Sequence, residues 1–129
     1  AVLHNGLREA LQLVAAMTPV PVSVGGVGDL PPDDPRTIPL WLVANEAVAN
    51  ALKHAAATRI DIVLQVVPGE TKLVVTDDGC GGVTGAPRAI GQRVESMAAA
   101  LRIDSPVARG TTITVIAPEP VELVTSGAQ

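Results

Sequence analysis

The stretch at residues 60–76, "IDIVLQVVPGETKLVVT", constrains the fold most, because its pattern admits little besides a pair of antiparallel strands. Ile60, Ile62, Leu64 and Val66 alternate with Asp61, Val63, Gln65 and Val67, the period of two that sends successive side chains to opposite faces of a strand. "PGET" turns the chain and "KLVVT" returns as the second strand. A sheet with one apolar face has to bury that face against another layer.

The covering layer is legible at residues 41–57, "WLVANEAVANALKHAAA", which has no internal glycine or proline and favours a helix. At about 100° per residue, Leu40, Ala44, Ala47, Val48, Ala51 and Ala55 gather on one side. Glu46, Asn50, Lys53 and His54 gather on another. A solvated polar face explains the charges. It does not explain an asparagine, a mediocre helix former, set among good ones.

Around this unit the chain punctuates itself. Leu7, Leu11, Val14 and Ala15 recur at helical spacing, and Pro19 and Pro21 stop that helix. Residues 20–24 read as a short strand, edge-like because proline cannot donate to a ladder. Residues 25–35 are a loop by composition, leading through residues 36–39 into the long helix. Val94, Met97, Ala98 and Leu101 predict a further helix, and "LRIDS" with "TTITVIAP" predict a hairpin around residues 106–110. Helices that do not alternate strictly with strands predict an α+β, two-layer α/β sandwich.

At 129 residues the chain fits one domain, and with one Trp and no Phe or Tyr its core has to be built from Val, Leu, Ile and Ala. A formal net charge of −4 argues against a nucleic-acid groove. Two histidines and one cysteine are too few for a zinc cluster or a disulfide framework. No apolar run approaches the roughly 20 residues of a membrane span. The N-terminus lacks the basic start of a signal peptide, so a soluble, cytoplasmic-type domain is expected.

A second constellation stands where a strand ends. "VVTDDGCGGV" sets Asp77 and Asp78 beside three glycines. One reading is a turn in which either aspartate bonds its own backbone. The other is a carboxylate that accepts a hydrogen bond from an exocyclic amine such as that of adenine, with Gly79 and Gly81 allowing positive φ and the close approach of a flat ligand. No phosphate-cradling G-x-x-x-x-G-K-[ST] loop follows. A third element, "ARGTTITV", opens a strand with Thr111, which β-propensity alone would also explain.

Taken in order, N-E-A-V-A-N-A-L-K-H-A, D-D-G-C-G-G and R-G-T-T-I-T-V resemble the ATP-binding domain of bacterial sensor histidine kinases. Those belong to the wider ATPase family that includes gyrase, heat-shock chaperones and mismatch-repair proteins. The likeness is closest to the nitrate-sensor and desaturase-sensor type and covers roughly residues 20–118. It implies a Bergerat-type sandwich with a mixed, largely antiparallel sheet, and ATP lying between the helical layer and a mobile lid. It also implies roles. Glu46 and Asn50 match the N box, where the asparagine oxygen helps hold Mg²⁺ and the glutamate acts through water. Lys53 and His54 would meet phosphate charge. Asp77 matches the residue that reads the adenine amine, Gly79 and Gly81 its neighbouring glycines, and Thr111 the threonine that supports the adenine contact. Arg93, expected to open the helix after the lid, would either reach phosphates or be solvated.

The resemblance further implies ATP and Mg²⁺ as ligands and phosphoryl transfer to a histidine on an upstream dimerisation domain. A response regulator would be served by the full-length kinase, and no nucleic acid or membrane by this domain, which would be cytoplasmic even if the whole sensor is membrane-bound. Residues 1–18 resemble the linker helix from such an upstream domain, residues 19–118 the ATP-binding domain, and residues 119–129 a flexible tail. His4 has Asn5 where the phosphoacceptor signature carries an acid, so it is not expected to be the acceptor. Two departures keep rivals in view: Ala89, and the alanines of "SMAAALRI", stand where relatives carry glycine. The rivals are a serine kinase of the anti-sigma-factor type and a nucleotide-binding or interaction module without catalysis.

Overall fold

The computed structural model describes residues 5–120. Its elements are α1 (Leu7–Met17), β1 (Val22–Gly25), α2 (Thr37–Lys53), β2 (Ile60–Val67), β3 (Glu70–Asp77), α3 (Arg88–Ser96), β4 (Ala100–Asp104) and β5 (Thr111–Pro118). The strands form one sheet in the order β1-β2-β3-β5-β4. The expected hairpin pairs Ile60 with Asp77 and Val67 with Glu70, leaving Pro68 and Gly69 as a two-residue turn. β3 and β4 also pair antiparallel with β5, while β1 runs parallel to β2 at the edge. A parallel neighbour requires a crossover, and α2 provides it. The architecture is therefore the expected α+β sandwich with a mixed, largely antiparallel sheet.

The helices cover one face of the sheet. Leu40, Val43, Ala44, Ala47, Val48 and Ala51 of α2 share a buried cluster with Ile60, Ile62 and Leu64 of β2, Leu73 and Val75 of β3, and Ile113 and Val115 of β5. Fully burying each large aliphatic side chain is worth about 1.5–3 kcal/mol. Leu7 and Leu11 of α1 belong to the same cluster, so the described part of the stretch read as a linker packs into the domain's own core. Arg8 ties that helix to the loop before it can drift. Its guanidinium donates to the carbonyls of Gly25 (3.1 Å), Gly28 (2.9 and 2.6 Å) and Leu64 (2.8 Å). His4 and most of the expected tail lie outside the described residues.

Several boundaries differ from expectation, each for a local reason. α2 begins at Thr37 rather than Trp41, with Pro39 in its first turn, where the missing N–H has no helical partner to lose. It ends at Lys53 rather than Ala57, because Ala56 turns left-handed at φ 52. β1 lies at Val22–Gly25, since Pro21 contributes only its carbonyl, to the N–H of Ile60 at 3.0 Å. α3 starts at Arg88 and stops at Ser96. Ala98, at φ 51, then reverses the chain, so Leu101 belongs to β4 and not to the helix. Arg93, expected at the start of this helix, sits in its last turn.

At the far end of the sheet a nearly buried Arg36 closes the structure. It grips Asp34 through Nε (3.0 Å) and Nη2 (2.9 Å), and Nη1 donates to Thr71 Oγ1 (3.1 Å) and the Pro118 carbonyl (3.3 Å). Hydrogen bonding to Arg36 holds the Asp34 carboxyl below its usual range, and Asp34 raises Arg36 in return. A lowered carboxylate pKa contributes stability that is complete above the unfolded value and is lost as pH falls through the folded one. Asp34→Asn should therefore lower the urea midpoint at neutral pH and reduce its dependence on pH on the acid side. Arg36→Met should cost about 3 kcal/mol, because it leaves Asp34 unpaired.

Candidate functional site

Three sequence-distant stretches meet at one end of the sandwich. Asp77 is the last residue of β3 and Thr111 the first of β5, and the two are direct partners across the ladder. Directly opposed residues share a face. Behind them the C-terminal half of α2 completes a cavity of about 340 Å³. Its polar lining is Asn50, His54, Asp77, Cys80 and Thr111, and Gly81 contributes backbone. Ala47, Ala51, Ile103 and Ile113 form apolar walls, suited to a flat, partly apolar ligand held by a few polar groups. A larger hollow, about 410 Å³, lies over the opposite face of the sheet beside Lys72, Arg102 and Thr114, and none of the predicted residues lines it.

The two adjacent aspartates have separate tasks. Asp78 accepts hydrogen bonds from the N–H of Thr58 (2.8 Å), the hydroxyl of Thr58 and the N–H of Arg59 (3.0 Å). Those bonds, led by the Thr58 hydroxyl, hold its carboxyl below the ordinary value. Asp78 thus ties the turn to the segment before β2, and the bond within the turn itself is made by Asp77. Asp77 faces the cavity; its Oδ1 accepts the N–H of Gly79 (2.8 Å), and among the described residues its other oxygen has no hydrogen-bond partner.

The glycines differ as well. Gly81 sits at φ 64, and a Cβ there would strike the carbonyl oxygen of Pro106. Gly79 is not in the left-handed region, contrary to expectation. It is needed for room, since a Cβ would collide with the Cβ and carbonyl of Ala55. This close approach lets the N–H of Cys80 reach the Ala55 carbonyl at 2.8 Å. That carbonyl is accessible because α2 has already ended.

On its other side the loop is held by the β4–β5 turn. The Ala108 N–H donates to the Cys80 carbonyl (2.6 Å) and the Gly82 N–H to the Ser105 carbonyl (2.8 Å). Ser105 Oγ accepts the Val83 N–H (2.9 Å) and lies 2.7 Å from Thr111 Oγ1. The sequence reading did not single out Cys80 or Ser105 for the site. Only a hydroxyl at a strand end hinted at Ser105.

Asn50, His54, Asp77, Gly81 and Thr111 therefore line one cavity, and four other expected residues do not. Glu46 lies one turn before Asn50 on α2, half-buried and off the wall. Lys53, the last residue of α2, is exposed; Gly79 lies behind the wall, against Ala55. Arg93 is exposed and also off the wall. Pro87, the N-cap of α3, does reach the cavity, which brings the start of that helix to its rim. Among the described residues no group of three His, Cys, Asp or Glu side chains could hold a metal ion, and no helix is long and apolar enough to cross a membrane.

No protein-family model and no curated protein matches the chain in sequence. Solved structures do match in fold. The histidine kinase domain of a blue-light-activated kinase from Erythrobacter litoralis is 24% identical, with a TM-score of 0.62, over 87% of this chain and 58% of that one. The ATP-binding domain of PrrB from Mycobacterium tuberculosis is 18% identical, TM-score 0.62, over 89% of this chain and 92% of that one. The histidine kinase domain of the E. coli osmosensor EnvZ is 15% identical, TM-score 0.65, over 100% and 97%. The chain thus has the fold of histidine kinase ATP-binding domains, and it spans 58% of the length of the Erythrobacter domain.

The Gly79–Ala55 contact carries a direct consequence. Gly79→Ala should push the loop off the end of α2 and destabilise the domain by about 1–3 kcal/mol. Accelerated hydrogen exchange at the Cys80 amide would accompany it, while Gly91→Ala, with open space around it and no left-handed φ, should leave that amide unchanged.

Proposed function

We propose that this chain is the ATP-binding catalytic domain of a sensor histidine kinase, which binds Mg-ATP and presents the γ-phosphate to a histidine on an upstream dimerisation domain. One observation carries the reading. Asn50, Asp77, Gly81 and Thr111, drawn from three separate motifs, converge on one cavity in a chain with the histidine kinase fold. Asp77 offers a carboxylate oxygen to the adenine amine, Thr111 a hydroxyl beside it, and Gly81 a backbone that a flat base can approach. Ile103, Ile113 and Ala51 supply the apolar surface against which the ring lies.

The remaining groups suit a triphosphate. His54 stands on the wall with Lys53 next to it, and the first N–H groups of α3, which no side chain caps among the described residues, favour anionic oxygens. Mg²⁺ fits the donor set, because it keeps several waters and takes substrate phosphates as ligands, so one or two protein oxygens suffice. Asn50 would provide one: it lines the cavity, and among the described residues its carboxamide has no hydrogen-bond partner. Glu46, one turn earlier, would act through water. When bound, the ion would offset charge on the phosphate oxygens. Glu46 is the catalytic candidate, and Asn50, Lys53, His54, Asp77, Gly79, Gly81 and Thr111 the nucleotide-binding ones. The response regulator, the cytoplasmic setting and the likeness to nitrate- and desaturase-sensor kinases rest on the motifs alone.

Calorimetric titration of ATP tests the proposal. Asp77→Asn should lose roughly ten- to a hundred-fold in affinity, the worth of a charge-assisted hydrogen bond, with little change in urea midpoint. Asn50→Ala should abolish the Mg²⁺ dependence of ATP binding while keeping the helix, since alanine is the better helix former. Parallel titration curves for wild type and Asn50→Ala at two Mg²⁺ levels would remove Asn50 from the site. Unchanged ATP affinity in Asp77→Asn would remove the adenine assignment.

A further inference from the structure

We propose that Ser105 is a positioning residue that sets the direction of the Thr111 hydroxyl and so tunes the choice of nucleobase; this rests on the adenine reading above. Ser105 follows β4 directly and is half-buried. A serine hydroxyl has one proton and two lone pairs. The Val83 N–H occupies one lone pair of Ser105 Oγ at 2.9 Å. Among the described residues, the acceptor within reach of the Ser105 proton is Thr111 Oγ1, at 2.7 Å. With Ser105 as the donor of that bond, which either hydroxyl could supply, the Thr111 proton points away from Ser105.

The consequence lies across the ladder. Thr111 is paired with Asp77, and both line the cavity. The carboxylate accepts only, and the oriented threonine donates. An acceptor beside a donor complements the edge of adenine, whose exocyclic amine donates beside a ring nitrogen that accepts. Hypoxanthine and guanine present the reverse, a carbonyl beside a ring N–H. Without the Ser105 hydroxyl, Thr111 is free to accept as well as donate, and the reversed edge loses one of its penalties. The same oxygen holds Val83, midway along the connection from β3 to α3, so base recognition and the anchoring of that connection share one side chain.

Titration calorimetry with ATP and inosine triphosphate, in the presence of Mg²⁺, tests this. Ser105→Ala should lower ATP affinity about tenfold and inosine triphosphate affinity far less, narrowing the ratio between them. Ser105→Thr restores the hydroxyl and should restore the ratio. The urea midpoint should change little, because Val83 is exposed and water can take its amide. Ser105→Cys keeps the volume with only a weak donor, and should narrow the ratio even if the alanine variant folds poorly. A wild-type ratio in both Ser105→Ala and Ser105→Cys overturns the inference, as does an equal loss for both nucleotides, which would mark a merely structural serine. Asp77→Asn measured alongside separates the two readings. If it leaves ATP affinity intact, the adenine assignment itself fails; if it weakens ATP while the Ser105 variants keep the wild-type ratio, only the serine's role fails.

Discussion

The register of β3 between β2 and β5 is the constraint on which the site depends. Asp77 pairs with Ile60 on one side and Thr111 on the other, so the end of three strands is fixed at one level. A slip of one residue would turn Leu73 and Val75 outward and bring Lys72 and Val74 into the core, at a cost of several buried aliphatic side chains. It would also turn Asp77 away from the cavity. The aliphatic pattern that builds the core therefore also aims the carboxylate.

The loop after Asp77 is shaped by contact at both flanks. Gly79 lies on Ala55, the Cys80 amide takes the carbonyl that the finished helix leaves over, and Ser105 holds the next residues from the other side. The position of α2's end is thus part of the site. Had the helix run on to Ala57, as its alanines favour, the Ala55 carbonyl would be aimed along the helix axis and not at the Cys80 amide. Ala56 accepts a left-handed φ of 52 at that point, and Ala98 does the same at φ 51 after α3. For a residue with a Cβ each costs roughly 1–2 kcal/mol, which the surrounding contacts have to offset. Ala98 falls in the stretch where the resemblance leads one to expect glycine.

Away from the cavity, two arginines join segments that hydrophobic burial alone would leave loose. Arg8 gathers three carbonyls from β1's end, the following loop and β2, and so fastens α1 to the sheet edge. Arg36 does the same at the opposite end, with Asp34, Thr71 and Pro118. Guanidinium suits both places because it presents several donors in a fixed plane. These clamps keep the long loop at residues 25–35 against the domain and clear of the cavity's lining.

Periodicity and punctuation alone determined the layers: the alternation from Ile60, the apolar stripe of α2 and the turn at Pro68–Gly69 each depend on neighbours within a few residues. Asn50 stood out as odd for its helix, whereas Asp77, Gly81 and Thr111 each had an ordinary local explanation and were singled out by the resemblance of the three motifs taken in order. Tertiary structure decided what local pattern could not contain. It assigned Asp78 to Thr58 and left Asp77 to the cavity, although both are aspartates in the same turn. It gave Gly79 a steric role and not a conformational one, set Glu46, Lys53 and Arg93 off the wall, and brought in Cys80 and Ser105. The physical reason is the same in each case. Side chains distant in sequence acquire a partner only when the strands and helices that carry them are packed.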